Sequence, residues 1–372
     1  MKKFDKDRLV LSLAGPVLAL AVAFVLTSLV LSASGKDIIE PYRLMFDSAA
    51  YADIQVLIIN QAGTYYLAAL AVAVGFRMNL FNIGVDGQYR LAAMAAALVG
   101  ASVDLPGPLH LALIVVVAVL VGAFWAGIAG FLKTTRGVSE VVSTIMLNSI
   151  ATALIAWLIL PKNFGVQPAG SNNLTTGDIP ESGWFPGLPL GDEAGEIYGF
   201  TFVAAALGVV YWFVLNRTRF GFDLRATGES ESAAQASGVD AKRMVLTSML
   251  ISGAVAGLAG MPTLLGDTHT YSLDFPTGIG FTGITIALLG RNNPLGIAFS
   301  ALLIAFLDKT SSSLDQFGYE KEIATIMQGL IVISVVVSYE LVRRYATRRQ
   351  QQKVGEELAA GHALTTEKEA AL

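Results

Sequence analysis

Apolar residues come in long blocks along this chain, separated by short charged breaks, and the blocks have the length that a lipid bilayer dictates. A run of roughly 20 apolar residues crosses the ~30 Å hydrocarbon core as a helix. No water is available there, so each backbone N–H and C=O must be satisfied within the protein, and repeated crossings build one helical bundle. Ten spans are predicted, at about 9–33, 54–76, 82–103, 109–132, 138–160, 198–215, 244–265, 273–290, 295–312 and 323–342. The expected fold is an all-α, polytopic integral membrane protein. Residues 1–344 form its membrane domain, and the polar stretch 345–372 reads as a disordered cytoplasmic tail.

Charge placement orients the bundle. With ten crossings both termini lie on one side. Taking that side as cytoplasmic leaves only Lys36, Arg43, Lys162, Lys309 and Lys321 of the 25 Lys and Arg on the outside, as the excess of inner positive charge requires. Residues 9–31 exceed the apolar core of a signal peptide, about 7–15 residues, and read as an uncleaved first helix. The chain has no cysteine, which excludes a disulfide framework and thiolate chemistry. Two loops are long. The outer one, 161–197, is rich in Gly, Pro and Asn, with Trp184 and Phe185 as possible anchors; the inner one covers 216–243. The eighth span, DFPTGIGFTGITIALLG, is short and glycine-rich, so a broken or re-entrant segment is expected.

Polar residues crowd the start of the third span in FNIGVDGQYR. From Arg90 to the outer end only about 13 residues remain, ~20 Å of helix, so the helix must begin earlier, near Asn82. Asn82, Asp86 and Arg90 then fall at i, i+4, i+8, with Gln88 in the same turns, and Ala93, Ala97 and Gly100 continue the face. Such a stripe faces neighbouring helices rather than lipid. Two readings follow. In the structural one, Asn82 caps the helix and Asp86 suits the positive helix end and pairs with Arg90. In the functional one, this face is the inner end of a translocation route.

The fifth span repeats the pattern with Glu140, Thr144, Asn148 and Thr152 at i+4 intervals. Glu140 suits the first turn with Ser139 as cap. Asn148, about 15 Å further along, bonds a neighbour or faces a solute. Gly253, Gly257 and Gly260 of the seventh span suit close packing. In the inner loop, SESAAQASG reads as a short helix capped by Ser230 or Ser232 and stopped by Gly238, too polar to enter lipid and too short to stand alone in water.

Five ordered stretches carry a family resemblance: GFRMNLFNIGVDGQ, RGVSEVVSTIMLN, TRFGFDLRATGESESAAQASGV, FTGITIALLGRNNPLG and IMQGLIVI. From about residue 54 to 342 the chain resembles permease subunits of ATP-binding cassette importers, in the branch for nucleosides and simple sugars (the branched-chain amino acid/ribose type). The resemblance implies an inverted repeat of spans 2–5 and 7–10. It also implies that the inner loop holds the coupling helix, around Gly228, Glu229, Glu231, Ala233, Ala234 and Gly238. Ser232 stands where the general importer motif has Glu. Asn79, Asn82, Asp86, Gln88, Arg90, Glu140, Thr144 and Asn148 become candidates for the translocation route.

No GxxxxGK[ST] phosphate loop occurs, so ATP and Mg would be used by separate ATPase subunits, and this chain would be no enzyme and bind no cofactor itself. The other implied partners are a second homologous permease, an extracytoplasmic solute-binding (lipo)protein, the small-molecule solute and the lipid of the plasma or inner membrane. Nucleic acid is not among them. An ion-coupled secondary transporter is the alternative, but the acidic candidates hug the cytoplasmic side rather than the midplane. An intramembrane enzyme is disfavoured because His110, His269 and His362 fall in outer loops and the tail. Tyr65, Tyr66, Phe281 and Trp157 are the aromatics available for stacking on a base, though packing or lipid contact would explain each.

Overall fold

The computed structural model describes residues 6–319 and, with interruptions, 325–352. The chain divides into two compact units, Asp47–Lys309 and the combination of Met1–Phe46 with Thr310–Leu372. The larger unit holds the helices α3 (Ala52–Phe76), α4 (Val85–Ser102), α5 (Gly107–Arg136), α6 (Glu140–Leu158) and α7 (Gly199–Arg217). It continues through α8 (Arg219–Glu229), α9 (Glu231–Ala236), α10 (Ala241–Leu258), α11 (Met261–Thr263), α12 (Ile279–Leu289) and α13 (Pro294–Ser313), the last running a few residues past the unit boundary. The smaller unit contains α1 (Lys6–Ala33) and most of α2 (Glu40–Ser48). There Asp37 Oδ1 accepts from Ile39 N at 2.7 Å and Glu40 N at 2.9 Å, starting α2, and Tyr319 donates to Glu40 Oε2 at 2.9 Å.

Each predicted span down to 295–312 contains a helix, but not every helix has the measure of a crossing. Among the described residues, six are long and apolar enough: Ala52–Phe76, Gly107–Arg136, Glu140–Leu158, Gly199–Arg217, Ala241–Thr268 and Pro294–Ser312. The helix α4 carries Asp86 and Arg90 in its first two turns, and α12 has 11 residues, a rise of only about 16 Å. The eighth span is broken. Residues 269–278 run irregularly, Gly278 adopts φ +81°, and the helix starts only at Ile279. The described residues from 325 to 352 are helical, so helix reaches into the stretch expected as a tail; 353–372 and the first five residues lie outside the described residues.

Burial explains the order of the elements. In α3 every side chain from Leu67 to Ala73 is buried, because α7, α10 and α12 pack around it. The α5–α10 pair meets backbone to backbone: a Cβ on Gly122 would lie 2.2 Å from Gly253 O, and one on Gly257 would lie 2.1 Å from Ala118 O. The expected packing role of the seventh-span glycines is thus met. In lipid, where apolar surface gains nothing by leaving the solvent, such close dispersion contact is a principal attraction between helices. Tyr65 and Tyr66 are buried by packing, whereas Phe281 and Trp157 are each 52% exposed.

The long outer loop folds onto the bundle rather than standing free. Val166 bridges Thr175, Thr175 bridges Ser272, and Leu188–Pro189 pairs antiparallel with Glu196–Ile197. Trp184 stacks on His269 with centroids 3.8 Å apart and donates to Ile179 O at 2.8 Å, an anchor to protein. His110 lies in the first turn of α5 rather than in a loop. Pro108 fits the opening turn of a helix, which starts before the apolar run does. Its buried ring bridges Ser182 Oγ at 2.8 Å and Gly100 O at 2.9 Å.

The α5–α10 contact sets a steric test. Gly122→Val should lower the midpoint of thermal unfolding in detergent, with a loss of at least about 1–3 kcal/mol from overpacking. Gly137→Ala, where no atom lies within 4 Å of the added Cβ, tests backbone strain alone and should cost less.

Candidate functional site

The polar cluster grows from the turn between α3 and α4. The helix starts at Val85 with Gly84 at the N-cap position, three residues later than the spacing predicts. Asn82 therefore stays in the turn, off the Asp86–Arg90 face. Its Oδ1 accepts from Gly84 N at 3.0 Å, an Asx-type turn that competes with one more helical residue. Its amide also exchanges two hydrogen bonds with that of Gln88, at 3.0 and 2.9 Å. Asn82 Nδ2 further donates to Ser252 Oγ at 2.8 Å, and Ser252 donates to Ala71 O at 2.6 Å. All four positions are buried, so Asn82 and Gln88 lock α3, α4 and α10 together.

Asp86 and Arg90 do not pair. The ion pairs within 4 Å include Lys133–Glu140 and Arg219–Asp223, while Asp86 and Arg90 take other partners. Asp86 is instead held by α12, whose Gly280 N donates to its Oδ1 at 3.3 Å. A carboxylate at the buried, positive start of a helix satisfies an N–H that has no partner within the helix. The approach needs glycine: a Cβ on Gly280 would lie 2.4 Å from Asp86 N. Arg90 turns the other way. Its Nη1 donates to Thr152 Oγ1 at 3.1 Å, the Tyr271 hydroxyl lies beside it, and its Nε is buried without a partner. Tyr89, fully buried, donates to Pro276 O in the irregular half of the eighth span.

The stripe on α6 is real, and three of its members serve the backbone or a neighbour. Glu140 pairs with Lys133 at 2.5 Å and accepts from Phe81 N at 3.4 Å. Ser139 stands at the N-cap, but its side chain makes no capping bond, contrary to expectation. Thr144, buried, donates to Glu140 O at 2.6 Å. Asn148 Nδ2 donates to Ile83 O at 2.9 Å, and its Oδ1 accepts from Gly87 N at 2.8 Å. Asn148 thus caps α4 from another helix. Thr152 is exposed and Arg90 partly so. Further along the same two helices, a cavity of about 410 Å³ opens between Val99, Ser102, Leu158 and Phe164.

The loop at 216–243 carries the short helix that the sequence predicts. Ser230 Oγ accepts from Ala233 N at 3.3 Å. Gly238, at φ +85°, donates to Gln235 O at 2.9 Å while Val239 N reaches Ala234 O at 3.0 Å. Ala234 is buried, whereas Glu229, Glu231, Ala233 and Gly238 are exposed. Sequence reasoning missed α8, whose 11 residues lie within the presumed loop. Thr218 caps it by accepting from Gly221 N at 3.2 Å, and Thr-x-x-Gly before an amphipathic run was the available signal. Asn79 also reaches this loop: its Nδ2 donates to Gly228 O at 2.6 Å near the end of α8. Arg77, also missed, donates from Nη2 to Asn292 O at 2.7 Å, and Tyr211 donates to the same oxygen at 3.1 Å.

Residues 54–336 match the family described as "Branched-chain amino acid transport system / permease component". The chain is a member of that permease family. Among its relatives is the guanosine ABC transporter permease protein NupP of Bacillus subtilis, 34% identical, with 88% of this chain and 93% of that one covered. The glucose ABC transporter permease protein TsgB13 of Haloferax volcanii is 31% identical over 89% of this chain and 88% of its own. The nucleoside ABC transporter permease protein NupB of Lactococcus lactis is 30% identical, covering 87% and 90%. This permease is accordingly a multi-pass protein of the plasma membrane and the membrane subunit of an ATP-binding cassette transporter, not an ion-coupled carrier.

Separate partners for Asp86 and Arg90 have a measurable consequence. Asp86→Ala should cost about 1 kcal/mol through the lost cap on α12, and Asp86→Asn, which keeps an acceptor oxygen, should cost less. A double-mutant cycle of Asp86→Asn and Arg90→Gln, read from thermal unfolding in detergent, should give a coupling below about 0.5 kcal/mol. A larger coupling would show the two charges acting as a pair.

Proposed function

We propose that this permease imports a nucleoside along the face shared by α4 and α6, driven by ATP hydrolysis on separate cytoplasmic subunits that dock on α8 and α9. The observation that carries the coupling is the capped helix α9, which presents the small, exposed side chains Ala233 and Ala236 on the loop assigned to the inner side. A small-residue face permits close approach by a partner. A short helix of this kind gains its stability from what it packs against rather than from its own propensity. Relatives named for guanosine and nucleosides favour a nucleoside, and the relative named for glucose supplies the second reading, a simple sugar.

In this reading both termini are cytoplasmic, ten segments traverse or enter the bilayer, and spans 2–5 and 7–10 form an inverted repeat. ATP and Mg are bound by the ATPase partners. A second permease completes the route, and a solute-binding protein delivers the solute from outside. Arg90 and Thr152 are the side chains on the route, since each keeps some exposure and Arg90 Nε retains an unused donor. Asn82, Asp86, Gln88, Glu140, Thr144 and Asn148 border it by fixing helix ends and turns.

Two experiments test these statements. Ala233→Arg places a large cation on an exposed position, so it should leave insertion and folding intact while abolishing copurification of the ATPase and uptake; normal copurification would reject the docking site. Proteoliposomes holding the complete transporter should take up radiolabelled guanosine in preference to glucose. The reverse preference would select the sugar reading.

A further inference from the structure

Three of the four described non-glycine residues with positive φ, Asn79, Arg291 and Asn292, sit in two inner turns that approach each other. Such backbone is uncommon outside glycine, and it persists where surrounding contacts hold it. The turn at 77–84 is held in this way by five bonds to four elements. Arg77 reaches Asn292 O in the α12–α13 turn, and Asn79 reaches Gly228 O in α8. Phe81 N meets Glu140 and Ile83 O meets Asn148 on α6, while Asn82 holds Ser252 on α10. The fit against α8 is close: a Cβ on Gly228 would lie 2.6 Å from Arg77 O and 2.8 Å from the Met78 Cα.

We propose that Arg77 and Asn79 are positioning residues that pass a displacement of α8 and α9 into the transmembrane helices, making the 77–84 turn the mechanical link between nucleotide-driven movement and the route. The inference rests on the docking role proposed for α9 and goes beyond it. A rigid-body shift of α8 cannot leave the turn behind, because the 2.6 Å bond to Asn79 and the Gly228 contact join them directly. From the turn, Arg77 carries the shift to the α12–α13 connection. The chain itself carries it through Asn82 and Gln88 into α4, where Asp86 grips the start of α12. The buried end of α12 is therefore gripped from α4 and its far end from Arg77, so α4 and α12 move together. Elements with discrete packed arrangements transmit such shifts because close-packed interfaces do not deform continuously.

The test severs the link from both sides. Asn79→Gly removes the amide while keeping a residue at ease with positive φ, and Gly228→Ala wedges α8 away without touching Asn79. Each variant is assembled with its ATPase and second permease in proteoliposomes, and copurification, ATP hydrolysis and uptake are measured beside Ala233→Arg. The expected result for Asn79→Gly is intact copurification and hydrolysis with uptake reduced about tenfold, an uncoupled transporter, and Gly228→Ala should lose uptake as well. Unchanged uptake in Asn79→Gly, with Ala233→Arg still preventing ATPase binding, would overturn this inference alone. Loss of ATPase binding in both variants would also overturn it, since the turn would then only shape the docking face. Normal transport by Ala233→Arg would instead reject the docking role itself. Asn79 is exposed and its glycine replacement creates no clash, so that arm stands even if Gly228→Ala fails to fold.

Discussion

A helix end inside a membrane protein has backbone groups that neither water nor its own helix can satisfy, and the polar chemistry of this chain is organised around that constraint. The first N–H groups of α4 and α12 and the last carbonyls of α8 have no intrahelical partner. Leaving the buried starts of α4 and α12 unpaired would cost several kcal/mol per group, whereas at the exposed end of α8 water competes for the carbonyls. Asn148 satisfies Gly87 N, Asp86 satisfies Gly280 N, and Asn79 satisfies Gly228 O. In the turns and the irregular segment beside them, Tyr89 meets Pro276 O and Arg77 meets Asn292 O. Each bond runs from a side chain on one element to the backbone of another, so satisfying the backbone also fixes the elements relative to one another.

The same constraint explains why the eighth span can be broken. Residues 270–278 run without helical hydrogen bonding, and their buried members Tyr271 and Phe275 tie them to protein: Thr176 N donates to Tyr271 O at 3.0 Å, and Phe275 stacks on Tyr271 with centroids 4.7 Å apart. The positive start of a half-helix is an attractive place for an anion. Here the permease fills that place with its own Asp86 carboxylate.

Packing and coupling divide along chemical lines. The α5–α10 contact turns on Gly122, Gly253 and Gly257, whose missing side chains let the backbones touch, with Leu246, Met249 and Leu250 packed over Gly127 and Gly130. The turn at 77–84 has the opposite character, a set of directional bonds to α6, α8, α10 and the α12–α13 turn. Directional bonds define position at a cost of adaptability, which suits a connection that must transmit displacement. Dispersion contact among small residues suits a framework that stays fixed.

The sequence by itself determined the membrane class, nine of the helices, the family and the capped inner helix. Those follow from block length, Gly and Ser placement and motif order, all local properties that survive without knowing what lies opposite. Of the polar positions it singled out, Asn82, Asp86, Gln88, Glu140 and Thr144 are buried, while Arg90 and Asn148 are half-buried. Only the tertiary structure decided what each one touches. The i, i+4 spacing of Asp86 and Arg90 is equally compatible with a pair and with two separate partners, and Gly280 and Thr152, distant in sequence, decided for the latter. Asn79 finds its partner on α8 for the same reason, since Gly228 lies 149 positions away. The helix α8 was hidden because an amphipathic run interrupted by glycines looks like loop until it has a surface to rest on. A side chain's position along its helix is written in the local pattern, but its partner is chosen by whichever unsatisfied backbone group the fold brings within reach.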